Sequence, residues 1–261
     1  MADHYEPGES DELDRIRPPR NVHDAAGWDK YWQHEVADGV IGFHDWFIYD
    51  GPLAKLMVKL GLRTVLCAGN GVSLEAHALS YAGFQVIAAD LSAWATEFNR
   101  RRRPKPAVLR SLLRRPVFFR SIFRRSIRET CLRLGWLAKN VAKSVLPVRR
   151  SGGQVEFLAG DLLDAKFCRG PFDVIIERRT AQLFCGNEGN EMLEMLATRL
   201  KPTGIFVSHC HMGWWKHGTP RDHLLESWFR QHGFIVSRGW KDVAGGQQNT
   251  APIALLSLST G

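Results

Sequence analysis

The chain has 261 residues, 44% of them hydrophobic, which suits one large domain or one domain that carries an insertion. No apolar stretch is long enough for a transmembrane helix, and the polar N-terminus lacks the basic start and apolar core of a secretory signal, so we expect a cytoplasmic protein. The net charge of +8 is concentrated in residues 100–150, which hold 17 Lys and Arg against one acidic residue, and the remainder carries −8.

The N-terminal 25 residues are acidic and poor in apolar side chains, which predicts a flexible segment. An aromatic stretch follows, and Trp28 and Trp32 are four residues apart, so a helix would place both rings on one face. From Thr64 onward, short apolar runs alternate with patterns of helical period. This alternation predicts strands at 64–68, 85–89, 154–158, 172–176 and 205–209.

Alternating strands and helices predict an α/β fold, in which a Rossmann-like, doubly wound, mainly parallel sheet has helices on both faces. We expect a turn at 201–204 before the fifth strand, and a helix that begins near Thr219 and ends at Gly233. Two last strands, at about 235–240 and 251–258, are predicted to form a hairpin and to give the sheet an antiparallel C-terminal edge strand. Residues 26–261 would then form a single domain.

Three loops at strand ends carry groups that suit a nucleotide-containing cofactor. Gly69-Asn70-Gly71 allows a tight turn with the backbone close to a ligand. Asp90 follows the second strand, 21 residues after Gly69, where a carboxylate can accept both ribose hydroxyls. Asp161-Leu162 follows the third strand, and this pair can bind an adenine amino group and cover the ring. Such loops meet where the strand order reverses, so we predict a cofactor site there.

Two other interpretations of these loops are possible. They can be an ordinary glycine turn with strand-end acids, or they can belong to a nicotinamide-dependent oxidoreductase. The GxGxxG motif of such oxidoreductases needs a third glycine for close helix packing, and Leu74 stands at that position. The sequence therefore disfavours the oxidoreductase.

The layout of these loops resembles that of the class I S-adenosylmethionine-dependent methyltransferases. The stretch 28–32, together with Gly42-Phe43-His44, is similar to the N-terminal motif of the thiopurine S-methyltransferase family, in which aromatic residues close over the cofactor. Residues 172–178 resemble that family's fourth-strand motif, and residues 208–229 resemble its substrate-side loop. The similarity covers about residues 28–99 and 155–234.

This resemblance implies methyl transfer from S-adenosyl-L-methionine to a small, lipophilic acceptor such as a thiol. The sequence departs from the family pattern at Cys67, where an acidic residue is usual, at Ser73, where a third glycine is usual, and at Arg179, where glycine is usual. The predicted cofactor-binding residues are Trp28, Trp32, Phe43, Ala68, Gly69, Asn70, Gly71, Asp90, Leu91, Asp161, Leu162 and Glu177.

Glu177, Arg178 and His209 lie at the ends of the fourth and fifth strands and are the predicted catalytic residues. Methyl transfer is an in-line displacement, so a thiol acceptor needs no dedicated base, whereas an oxygen or nitrogen acceptor does. Arg178 can hold an anionic acceptor, but a structural ion pair between Glu177 and Arg178 is the alternative. His209, Cys210 and His211 alternate across a strand and cannot close around one ion, so we predict no metal site.

Residues 100–150 form a basic insertion between the second and third strands, where one crossover helix would suffice. Apolar residues recur every three or four positions from Leu109 to Val145, which predicts helices with an apolar stripe opposite a cationic face. This pattern fits a lid over the acceptor site, a helix on an anionic membrane surface or, less well, a nucleic-acid arm. An RNA or protein methyltransferase recruited by this segment is the alternative function, and a module that only senses the cofactor is a weaker one.

Overall fold

The computed structural model describes residues 19, 21–38, 50–106, 108–109, 152–178, 180–184, 186–209, 228–237 and 254–258. A single 3-10 turn, Ala181–Leu183, and a helical turn at 228–231 accompany the longer elements of these ranges. The helices are α1 (Ala25–Ala37), α2 (Asp50–Lys59), α3 (Glu75–Tyr81), α4 (Ala93–Arg101) and α5 (Gly186–Arg199). The strands are β1 (Thr64–Ala68), β2 (Gln85–Asp90), β3 (Gln154–Ala159), β4 (Phe172–Arg178), β5 (Leu200–His209), β6 (Phe234–Ser237) and β7 (Ala254–Leu258).

The described strands form one sheet in the order β3-β2-β1-β4-β5-β7-β6. The first five strands of this order pair in parallel, which confirms the predicted doubly wound, mainly parallel sheet. β7 is antiparallel to both β5 and β6, so the two last strands pair as a hairpin would. Of these two strands, β7 lies one place in from the edge of the sheet, and β6 forms the edge itself.

The composition of the two last strands does not decide their placement. β7 (Ala-Leu-Leu-Ser-Leu) lies between two neighbours and β6 (Phe-Ile-Val-Ser) lies at the edge, yet both are mostly apolar. β6 leaves Ile235 50% exposed at the edge of the sheet. A hairpin pattern in the sequence specifies that two strands pair, but it does not specify which of them pairs with β5.

β5 begins earlier than the sequence predicts. Phe172 pairs with Leu200 and Val174 pairs with Ile205, so β5 advances five residues while β4 advances two. Residues 201–204, expected to form a separate turn, are therefore an irregular, bulged start of the strand.

The core lies on both faces of the sheet, as β1 illustrates. Val65 and Cys67 pack with α2 and α3 on one face, whereas Leu66 and Ala68 pack with α5 on the other. All four side chains are at most 2% exposed. A strand that is apolar at every position is typical of a parallel sheet with helices on both faces.

Two segments that the sequence sets apart from the core contact it. Val22 packs with the core on the α5 side, so contacts with the domain begin before the predicted boundary at residue 25. Leu109, the first apolar residue of the insertion's stripe, is 6% exposed and packs on the α2 and α3 side. Phe43, Thr219 and residues 110–150 lie outside the described residues. Within the described ranges, no helix has the length and apolar character needed to cross a membrane.

Asp173 ties together the starts of β1, β4 and β5. Its Oδ2 atom accepts hydrogen bonds from the N–H groups of Arg63 and Thr64 at 2.9 and 2.8 Å, and from the Thr64 hydroxyl at 2.9 Å. Its Oδ1 atom accepts from Lys201 Nζ at 2.7 Å. Burial raises the pKa of Asp173, but the hydrogen bonds from Lys201, Thr64 and Arg63 outweigh burial and lower the pKa to about 2.

Replacing Asp173 by asparagine should lower the free energy of unfolding by about 1.5 kcal/mol at neutral pH, because hydrogen bonds to a charged group are lost. The folded-state pKa of about 2 lies below the ordinary value of 3.8, so this stabilisation is complete well above the ordinary value and is lost as the pH falls toward 2. Urea unfolding at neutral and at acid pH should therefore show that Asp173→Asn is less acid-sensitive than the wild type.

The matched control is Glu97→Gln, which also neutralises one carboxylate but removes an exposed pairing with Arg100 and Arg101. This control should leave the stability and its acid sensitivity nearly unchanged. Equal acid sensitivity of the wild type and Asp173→Asn would contradict the role given to Asp173.

Candidate functional site

The carboxyl ends of β1, β2, β3 and β4 bring the predicted loops to one edge of the sheet. Ala68 pairs with Ala89 on one side and with Glu177 on the other, and Asp90 pairs with Ala159 of β3. The chain order reverses between β1 and β4, which is where ligands bind in doubly wound sheets.

The loop after β1 needs its two glycines. Gly69 and Gly71 have positive φ angles of 65° and 51°. A Cβ atom at Gly69 would lie 1.9 Å from the Thr180 hydroxyl oxygen, and one at Gly71 would lie 2.5 Å from the Trp32 ring. Both the backbone conformation and the available space therefore require glycine at these positions.

Asp90, at the end of β2, is 8% exposed and fixes this loop. Its Oδ2 atom accepts from the Gly71 N–H at 2.7 Å, and its Oδ1 atom accepts from the Ser92 N–H at 2.9 Å. Burial raises the pKa of Asp90 to about 6; the bonds from Ser92 and Gly71 lower it, and the nearby Asp29 raises it. Leu91, also predicted to bind the cofactor, is half-buried beside it.

Helix α1 covers the glycine loop. The Trp28 and Trp32 rings stack with centroids 6.3 Å apart, which confirms that they share one face of a helix. Asp29, between them, accepts hydrogen bonds from the Ser92 hydroxyl at 2.5 Å and from the Trp94 N–H at 3.0 Å. Because the first N–H groups of a helix have no partner inside it, Asp29 holds α1 against the start of α4.

The loop after β3 is held by contacts from two directions. Asp161 Oδ1 accepts from the Leu163 N–H at 2.8 Å, and Asp161 Oδ2 accepts from His23 Nδ1 at 3.2 Å. Leu162 is 6% exposed and packs in the core on the α5 side. Arg199, at the end of α5, donates to the carbonyl oxygen of Leu162 at 2.7 Å. Asp161 is thus held in the loop at the carboxyl end of β3, and Leu162 anchors the same loop in the core.

Glu177 connects β4, β5 and the 3-10 turn that follows β4. It is fully buried, and its Oε2 atom accepts from the N–H groups of Thr180 and Ala181, both at 3.0 Å. The Ser208 hydroxyl donates to its Oε1 atom. Thr180 in turn donates its hydroxyl to the carbonyl oxygen of Ala68 at 3.1 Å. These bonds fix the sheet end beneath the glycine loop.

The other predicted catalytic positions lie beside Glu177 in the backbone. Arg178 and His209 are register partners at the ends of β4 and β5, so the structure brings the two positions together. The side chains of both residues, and the whole of Phe43, Cys210 and His211, lie outside the description. Over the ranges that the structure covers, no cluster of potential metal ligands is found.

Several residues of this site were not predicted. Ser92 directly precedes α4 and accepts from the Ala95 N–H at 3.0 Å, so its place as a helix N-cap is a signal that the sequence contains. Asp29 lies between the two tryptophans of the aromatic motif, which is also a local signal. Thr180 and Ser208 have no such signal, because their contacts arise only when β1, β4 and β5 pair.

No family model matches the chain, and no curated protein matches it. Solved structures do. The chain is similar to an S-adenosylmethionine-dependent methyltransferase of Clostridium acetobutylicum, with a TM-score of 0.53, 9% identity, and coverage of 88% of this chain and 98% of that one. It is also similar to the magnesium protoporphyrin IX methyltransferase of Synechocystis with bound SAM, with a TM-score of 0.51, 16% identity, and coverage of 96% of this chain and 100% of that one. A TehB-like SAM-dependent methyltransferase of Corynebacterium glutamicum gives a TM-score of 0.50, 14% identity, and coverage of 91% of this chain and 100% of that one. These likenesses show that the chain has the class I methyltransferase fold.

Gly71→Ala should destabilise the protein more than Gly61→Ala does. Both glycines have positive φ, at 51° and 73°, which costs an alanine about 1 kcal/mol or more. A methyl group at Gly61 meets nothing within 4 Å, whereas one at Gly71 collides with the Trp32 ring. Urea unfolding should therefore give a loss of about 1 kcal/mol for Gly61→Ala and of at least about 2 kcal/mol for Gly71→Ala.

A second substitution tests the cause of the larger loss. Trp32→Ala added to Gly71→Ala should cost less than Trp32→Ala costs in the wild type, because the collision is relieved. Equal losses for the two glycine variants, together with additive effects in the double variant, would show that Trp32 does not pack on the loop.

Proposed function

We propose that this protein is an S-adenosylmethionine-dependent methyltransferase that acts on a small, lipophilic acceptor through a thiol or a similar nucleophile. The observation that carries the proposal is the buried Asp90 carboxylate, which the N–H groups of Gly71 and Ser92 hold at the carboxyl end of β2. The class I methyltransferase fold supports the reaction. The likeness of residues 28–32 to the thiopurine S-methyltransferase motif supports the kind of acceptor.

The residues at this edge of the sheet fit S-adenosylmethionine. Each Asp90 oxygen accepts one backbone N–H and keeps a lone pair, so the carboxylate can also accept the ribose hydroxyls. The Oδ1 atom of Asn70 is buried and has no hydrogen-bond partner among the described residues, so a donor such as the cofactor's ammonium group would satisfy it. Asp161 would accept the adenine amino group at the oxygen that now accepts from His23.

The chain's own residues have to position an acceptor and exclude water. The bound cofactor supplies a methyl group that is already activated by a positively charged sulfur. Trp32 packs on the glycine loop, with Trp28 stacked on it, and would help to keep water from the loop. We place the acceptor beside positions 178 and 209, where Arg178 would bind an anionic group and His209 would take a proton from an oxygen or nitrogen nucleophile.

We assign Glu177 a positioning role. Both of its carboxylate oxygens accept hydrogen bonds from neighbouring groups, and the side chain is fully buried. A carboxylate in this environment holds the end of β4 rather than exchanging protons with an acceptor. A thiol acceptor, which loses its proton readily, does not require Glu177 to act as a base.

The alternative functions are separated by different observations. A nicotinamide-dependent oxidoreductase is disfavoured, because β7 inserts antiparallel between β5 and β6, whereas the dinucleotide-binding order is 3-2-1-4-5-6. Leu74, which stands where GxGxxG has its third glycine, also disfavours the oxidoreductase. Leu109, near the start of the basic segment, packs in the core, so this part of the segment is in contact with the domain.

Asp90→Asn should weaken the binding of S-adenosylmethionine and S-adenosylhomocysteine at least tenfold, or by about 1.4 kcal/mol, because an ionised acceptor of the ribose hydroxyls is lost. In the wild type, affinity should be constant at neutral pH and should fall as the pH falls through about 6, where Asp90 takes up a proton. Titration calorimetry over this range measures both effects.

Asp164→Asn is the matched control, since this exposed carboxylate lies in the loop after β3 and should leave affinity unchanged. Two results would contradict the proposal. One is binding of NADH without binding of either S-adenosyl compound; the other is an affinity that is the same for Asp90→Asn and the wild type.

A panel of thiols, phenols, amines and RNA with a labelled methyl donor should show transfer to lipophilic thiols first. Because an anionic membrane surface is one of the partners that the sequence of the basic insertion fits, each acceptor is offered in buffer and in anionic vesicles, at low and high salt. Faster transfer from vesicles at low salt is the expected result for a membrane-facing insertion.

Label that appears in RNA alone would overturn the small-molecule acceptor. Equal rates in buffer and in vesicles would remove the membrane role and leave the lid. No transfer to any acceptor, with tight cofactor binding retained, would favour a module that only senses the cofactor.

A further inference from the structure

The first arginines of the basic segment differ in what they contact. Arg101 is 80% exposed and pairs with Glu97 on the surface of α4. Arg102, the next residue, points toward the glycine loop instead. Its guanidinium donates to the carbonyl oxygen of Val72 at 2.7 Å and to Asn99 Oδ1 at 3.3 Å, and it lies 5.1 Å from the centre of the Phe98 ring.

Asn99 makes the neighbouring contact on the same loop. It is fully buried, and its Nδ2 atom donates to the carbonyl oxygen of Gly71 at 2.6 Å. The N–H of Gly71 donates to Asp90 on the opposite side. The peptide groups around Gly71 are therefore held by β2 through Asp90 and by α4 through Asn99 and Arg102.

We propose that Asn99 and Arg102 are positioning residues of the cofactor site, which hold the carbonyl oxygens of Gly71 and Val72 and thereby keep the Gly71 N–H directed at Asp90. The inference deepens the proposed function and rests on it. It assigns the start of the basic segment to the cofactor site, although the sequence pattern alone groups Arg102 with cations that would contact an anionic partner.

The arrangement predicts an effect that ordinary loss of stability would not produce. If the loop loses its hold on α4, the Gly71 N–H no longer donates fully to Asp90, and the pKa of Asp90 rises further. Two other groups act on Asp90, and neither belongs to the glycine loop. They are the N–H of Ser92, at the start of α4, and the carboxylate of Asp29, in α1. Neither of them depends on the side chain of Arg102.

The experiment measures S-adenosylhomocysteine affinity by calorimetry, from about pH 5 to about pH 8, for full-length variants. Arg102→Met keeps an unbranched apolar stem on Phe98 but removes the donors, so affinity should fall about tenfold and the pH midpoint of binding should move upward. Arg102→Lys keeps the positive charge and one donor nitrogen, so its affinity and its pH midpoint should lie between those of the wild type and those of Arg102→Met. Arg101→Met, the matched control one residue away, should bind as the wild type does.

The outcomes separate this inference from the proposed function. No binding by the wild type would contradict the proposed function. Binding by the wild type, with the same affinity and pH midpoint in Arg102→Met as in Arg101→Met, would overturn the positioning role alone. A weaker affinity with an unchanged midpoint would also overturn it, because that result indicates general destabilisation. If Arg102→Met does not fold, the midpoint of Arg102→Lys against an Arg101→Lys control decides in the same way.

Discussion

The two hydrogen bonds from backbone N–H groups to Asp90 connect three parts of the chain at one buried carboxylate. One bond comes from the glycine loop after β1 and the other from Ser92 at the start of α4, while Asp90 itself ends β2. Asp29 of α1 then docks on the same Ser92 through its hydroxyl. The position of the glycine loop, the start of α4 and the cover formed by α1 therefore all depend on a carboxylate that burial makes costly to ionise.

Arginines hold two loops of the candidate site, the loop after β1 and the loop after β3. Arg102 donates to the carbonyl oxygen of Val72, and Arg199 donates to the carbonyl oxygens of Leu162 and Asp164. A guanidinium group suits this task, because several N–H donors in a fixed plane can fix more than one acceptor. In each case the side chain comes from the last turn of a helix or directly after it, so helix packing sets the loop position.

The elements that the sequence predicts well are those whose signal is local. The apolar run of β1, the glycines after it and the acid after β2 each follow from a few adjacent residues, and the structure places them at one edge. The order of the last two strands, the bulged start of β5 and the bonds of Glu177 depend on pairing between distant segments. Arg102 illustrates the difference most clearly, since its neighbours in the sequence share its charge but not its contacts.

The docking of α1 sets an order of events during synthesis. Trp32 packs on Gly71, and Asp29 accepts a hydrogen bond from Ser92. Because both partners come later in the chain, this helix leaves the ribosome before they do. Until some sixty further residues have emerged and β1 and β2 have paired, its aromatic face has no surface to cover. The nascent chain therefore carries Trp28 and Trp32 before the surface that Trp32 packs on has formed.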